Sequence, residues 1–120
     1  MTRLRYLAAA VMTAALTFAC GGSPKPVSQM SSSEAAIRGA SEAGAQGVPQ
    51  AKLHLTMAQE QHDKGVALVE DDENEEAAAM FERAQADAEL AIALSRAARA
   101  AAEAQEAQSE TQQTVKENAQ

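Results

Sequence analysis

ENEEAAAMFERAQADAELAIALSRAARAAAEAQ, residues 73–105, decides the fold. Within it Ala77, Phe81, Ala84, Ala88, Ala91, Ser95, Ala98, Ala102 and Gln105 follow one another at unbroken steps of four and three. That spacing lays one narrow stripe of side chains along an α-helix, the pattern of a coiled-coil seam. Met80, Ile92 and Leu94 widen the stripe. The stretch predicts a helix over 73–108, about 54 Å long at 1.5 Å per residue. Its seam is mostly alanine, so it favours a partner helix that can approach closely.

A partner lies just upstream. Residues 49–69 place Ala51, Leu55, Ala58, His62, Gly65 and Val69 at the same alternating spacing, flanked by Leu53, Met57, Val66 and Leu68. Pro49 suits the first position of this helix, which spans about 31 Å. The acidic run Glu70-Asp71-Asp72-Glu73-Asn74-Glu75-Glu76 separates the two helices, with Asp72 or Asn74 expected to cap the longer one. A short turn between helices with matching seams predicts an antiparallel hairpin.

A first helix is expected over 33–46, because Ser31 and Glu34 have capping-box spacing and Gly47 marks a break. It is expected to lie below the second helix, across the kink at Gly47-Val48-Pro49, covering the overhang of the longest one. The fold class is therefore all-α: a bent antiparallel, coiled-coil-like hairpin of three helices. Residues 109–120 turn polar and glutamine-rich, a tail where the helix should fray.

The beginning of the chain has a different character. Arg3 and Arg5 precede an uncharged apolar run at 7–19, which Cys20 ends. Thirteen helical residues span roughly 20 Å, short of a hydrocarbon core of about 30 Å, so the run reads as a secretory signal over 1–19. LTFAC resembles a lipobox, with small Ala19 before the cysteine and Gly21 after it, although Thr17 and Phe18 occupy positions where leucine and a small residue are usual. Cys20 is the chain's one cysteine, so it has no internal disulfide partner. It is the expected lipidation site, anchoring residues 20–120 without a transmembrane helix. Gly21, rather than Asp, resembles signals sorted to the outer membrane, facing the periplasm. Residues 20–33, including GGSPKP, read as the modified cysteine and a flexible linker, and 34–108 as the helical domain.

Charge limits what this body can contact. After the signal, eight basic residues face seventeen acidic ones, a net charge of −9 that repels nucleic acid and anionic membrane surfaces. Phe81 is the sole aromatic beyond the signal, and alanine buries too little area per residue for a large globular core. Thin alanine-seamed helices are marginal alone, so self-association or an envelope protein partner is expected.

Few residues suggest chemistry. His54 and His62 stand eight apart, not the i, i+4 pair of a helical metal site, and His62 falls in the seam, where a polar group sets register. The acidic run lacks the spacing and central glycine of a calcium loop. No serine sits in a nucleophile elbow, and no glycine-rich phosphate loop is present. No catalytic, cofactor or metal residue is expected.

Three segments carry a resemblance: Ala40-Ser41-Glu42-Ala43-Gly44-Ala45, then Val48-Pro49-Gln50-Ala51-Lys52-Leu53, then Ala84-Gln85-Ala86-Asp87-Ala88-Glu89-Leu90-Ala91. They are similar to the periplasmic domain-of-unknown-function family 4398, short alanine-rich helical domains often found on bacterial lipoproteins. The middle segment is similar to the family's tyrosine-alanine-proline step into its second helix, without the aromatic. The likeness covers 34 to about 107. It implies a helical, envelope-associated domain and brings no catalytic residues.

The expected function is a non-enzymatic, lipid-anchored envelope protein acting as a structural or protein-interaction module. A carrier of a small apolar ligand or lipid between the helices is the alternative, for which the alanine seam leaves little room. Relatives of the small murein-linked lipoprotein attach through a terminal lysine, whereas this chain ends Lys116-Glu117-Asn118-Ala119-Gln120. No 34-residue repeat of the tetratricopeptide kind is visible.

Overall fold

The computed structural model describes residues 22–119. The expected signal segment and Cys20 lie outside them. Three α-helices account for most of the described chain: α1, Val27–Glu42; α2, Pro49–Glu70; and α3, Asn74–Asn118. A 3₁₀ turn, Ala45–Gly47, joins the first two.

The hairpin of α2 and α3 forms as its seams predict. Ala51, Leu55, Ala58 and Gly65 of α2 are buried, and so are Ala77, Phe81, Ala84, Ala88, Ala91 and Ser95 of α3. Small side chains at these steps let the backbones close on one another, with Phe81 and Leu55 as the largest fully buried groups. Phe81 fits because Gly65 opposes it: a Cβ built on Gly65 would lie 2.7 Å from Phe81 Cε1. Carbon pairs prefer about 3.5–4.0 Å, so the missing side chain is what seats the ring.

The turn between these helices differs from a simple capped start. Glu73 N–H donates to Leu68 O (2.9 Å) and Asp72 N–H to Val69 O (3.3 Å), the paired bonds of a Schellman ending. Asp72 takes the left-handed position at φ 61°, which glycine usually occupies. Neither Asp72 nor Asn74 caps α3; Glu73 stands at the cap without a side-chain bond, and its carbonyl receives Ala77 N–H.

Helix α1 departs most from expectation. It starts at Val27, not 33, with Pro26 buried at its cap position, where no backbone N–H is required. Ser31 and Ser32 are exposed mid-helix, and Glu34 pairs with Arg38 at 3.3 Å instead of closing a capping box. Tertiary contact outweighs the local serine signal: Ser33 is fully buried between helices. The helix ends at Glu42 because Gly44 turns left-handed at φ 85° and sends its N–H back to Ser41 O. Val48 then extends, and Pro49 opens α2.

This turn folds α1 back beside the hairpin rather than below it. Ser23 meets Asn74, Ser33 meets His62, and Ala43 O receives Arg99 Nη2 at 3.4 Å. Thus α1 runs antiparallel to α2 and parallel to α3. Its Gly39 lets Ile92 approach, and Ala40, Ala45, Ala51, Leu55, Ala58, Ala88 and Ala91 form one core bordered by Ala36, Ile37, Val48, Ile92 and Leu94. The all-helical, three-helix reading holds, and the position of α1 is the correction.

With α1 folded back, nothing described covers the far part of α3. Ala98, Ala102 and Gln105 continue the seam but are exposed, as is every residue from Arg96 to Ala119. Nor does α3 stop at 108; it continues to Asn118. Alanine, glutamate and glutamine favour helix here, and the Ser109, Thr111 and Thr114 hydroxyls bond back onto the preceding turn. The whole of α3 is about 67 Å long.

Candidate functional site

Two polar clamps cross the alanine seam, each centred on a histidine of α2. In the first, His54 Nδ1 lies 2.8 Å from Asp87 Oδ1 on α3, while Gln61 Nε2 donates to Asp87 Oδ2 at 2.8 Å. His54 and Gln61 are seven residues apart, so two turns of α2 bring both to the same carboxylate. The pair is partly shielded, with side chains 27% and 18% exposed. A carboxylate on one ring nitrogen is how proteins orient a metal-binding or catalytic imidazole. Among the described residues, however, no group of three or more His, Cys, Asp or Glu side chains is placed to hold a metal ion.

In the second clamp, Ser33 Oγ lies 2.8 Å from both Met30 O and His62 Nδ1. Its single hydroxyl proton goes to the Met30 carbonyl, so His62 Nδ1 carries a proton and donates to Ser33 Oγ. This polarity is opposite to that of a serine nucleophile, whose proton the imidazole must accept. The His62 ring also leans on Phe81, with centroids 5.3 Å apart and planes tilted 55°. The seam histidine therefore has α1 on one edge and the buried ring of α3 below. Spacing could place His62 in the seam, but neither cross-helix partner was readable, because Ser33 and Asp87 stand 29 and 33 residues from their histidines.

The bundle end that holds Ser23 has its own features. Asn74 Nδ2 donates to Ser23 O at 2.9 Å, pinning the start of the described chain beside the first turn of α3. Ser23, Asp72, Glu73, Asn74, Glu75, Glu76 and Ala79 line an open cavity of ≈ 490 Å³ there. Its carboxylates suit the positive end of the α3 dipole. Beside it Lys25, Pro26, Val27, Met30 and Val69 enclose an apolar notch of ≈ 90 Å³. The pinned Ser23 and a helix starting at Val27 remove most of the expected flexible linker from the described chain. At the opposite end stands the free α3 segment. No described helix is long and apolar enough to cross a membrane.

These features define a class: a small all-α domain of three helices, alanine-seamed and cross-braced by two histidines, whose last helix outruns the bundle. The chain belongs to the family described as Domain of unknown function (DUF4398), whose profile matches residues 28–107. The match takes in nearly all of α1, the whole of α2 and α3 as far as residue 107. No curated protein and no solved structure matches the chain significantly.

Proposed function

We propose that the chain is a non-enzymatic, lipid-anchored protein of the bacterial envelope, held through Cys20, in which the bundle is a structural module that presents α3 to a protein partner. The observation that carries this reading is polarity. The end that follows Cys20 is pinned at Asn74, whereas Arg96 to Ala119 stand exposed at the other end. A helix of mixed charge, alanine-rich and with a seam that no described residue covers, suits a partner that completes a coiled coil. Anchored at the outer membrane's periplasmic face, the domain would hold that helix tens of ångströms from the lipid.

Two measurements test it together. Mass spectrometry of the mature N-terminus in wild type and Cys20→Ala should find acyl chains on the first alone; an unmodified Cys20 would remove the anchor. Photo-crosslinking in intact cells from Gln105 or Gln112 should capture an envelope protein or a second copy, and recovery of free monomer alone would sink the interaction role. The ligand-carrier alternative has less support, because the apolar notch of ≈ 90 Å³ is well below the roughly 300–1,000 Å³ of small-molecule sites, and the larger open cavity is lined mostly by acidic and polar side chains.

A further inference from the structure

We propose that the end of the bundle nearest Cys20 is a membrane seat, in which Val27, Met30 and Val69 rest against the lipid surface with Lys25 at the rim. The proposal rests on the lipid-anchored reading and adds an orientation to it.

The patch has the composition of an interfacial contact. Val27 opens α1 with 60% of its surface exposed, and it counts here because it borders other apolar side chains rather than standing alone. Met30 stands one turn on, Val69 reaches the same notch from the last turn of α2, and Pro26 forms its buried floor. Lys25 is exposed, and its methylene stem lines the notch while its ammonium can reach a headgroup phosphate.

Chain length says what covers the patch. Ser23 O is held by Asn74 at 2.9 Å, and Cys20 precedes Ser23 by three residues. Even fully extended, three residues reach about 10 Å. A lipid on Cys20 therefore keeps Ser23, at this end of the bundle and not the far end of α3, within about 10 Å of the anchored residue. Tethering at that range gives a high effective concentration, so a patch too small to bind membrane alone is enough once anchored. The neighbouring Glu70, Asp71, Asp72, Glu73, Glu75 and Glu76 select the kind of surface: they repel anionic lipid and leave a zwitterionic one as the favoured seat. Seated this way, α3 points away from the membrane.

The chain contains no tryptophan, so a single one is an unambiguous reporter. The mature chain from Cys20 carries Val27→Trp, or Val115→Trp at the exposed far end as control, and its thiol is coupled to a maleimide lipid in phosphatidylcholine vesicles with brominated acyl chains. This attachment tests the seat whether or not the cell lipidates Cys20, so an unlipidated native protein would defeat the functional reading and leave this result interpretable. Circular dichroism confirms equal helix content in both variants. The expected result is a blue-shifted emission from the Val27→Trp protein that the bromines quench, with the Val115→Trp protein unchanged. Emission from Val27→Trp as unquenched as that from Val115→Trp would overturn the proposal. So would a blue shift that appears without lipid and grows with protein concentration, which would assign the patch to a second copy.

Discussion

Replacing Gly65 by alanine should destabilise the protein, although helix propensity alone argues the opposite. Glycine inside a helix is about 1 kcal/mol less favourable than alanine, so Gly65→Ala begins with that gain. Against it stands Phe81: the new Cβ would lie 2.7 Å from Cε1, 2.9 Å from Cδ1 and 3.0 Å from Cζ. The ring is fully buried and backed by His62, so it cannot swing aside into solvent. Overpacking of this kind costs typically about 1–3 kcal/mol, which leaves a net loss on the order of 1 kcal/mol. Gly39→Ala supplies the internal control. Its Cβ meets only Ile92 Cδ1 at 3.4 Å, the end of a flexible side chain, so most of the propensity gain should survive. Urea unfolding of residues 20–120, followed by helix ellipticity, reads both. The midpoint should fall for Gly65→Ala, rise or hold for Gly39→Ala, and recover when Gly65→Ala is combined with Phe81→Leu. A Gly65→Ala protein as stable as the parent would refute the close packing of α2 on α3.

Three further outcomes follow from single features. Asp72→Gly relieves a non-glycine left-handed residue and one carboxylate of the acidic turn, and should raise stability by about 1 kcal/mol in the same assay. A double-mutant cycle of His54→Ala and Asp87→Ala should show a coupling of about 1 kcal/mol, and strictly additive effects would deny the clamp. Removing residues 104–120 deletes, among the described residues, only exposed positions, so the unfolding free energy should change by less than about 1 kcal/mol while helix content drops.

How much of this was legible in the sequence depended on the range of the interaction. The seam from Ala77 to Ser95 was readable because the four-three step is local, and its partner on α2 carried the same step. The seam from Ala98 to Gln105 was equally readable but finds no partner among the described residues, since periodicity reports a face and not what covers it. Local signals misplaced α1. Ser31 and Glu34 look like a cap, yet Ser33 is drawn into the helix by His62, and Pro26 takes the cap instead. Likewise Gly44, not Gly47, ends the helix, and this earlier reversal folds α1 back along the hairpin. The clamps were hidden for the same reason: a histidine's partner on another helix leaves no mark in the spacing. Cys20, whose expected role rests on its position after the apolar run, lies outside the described residues.

The central claim is that α1 lies beside the hairpin, so that the end following Cys20 and the free end of α3 are far apart. Spin labels at Val27 and Gln105 test it by a single distance, measured by pulsed electron resonance. Since Gly39 is level with Ile92, Val27 falls beside Met80, and the 25 residues from there to Gln105 rise about 38 Å. The account predicts a separation of about 40 Å with the labels. A distance below about 25 Å, as expected if α1 instead covered the overhang of α3, would contradict it.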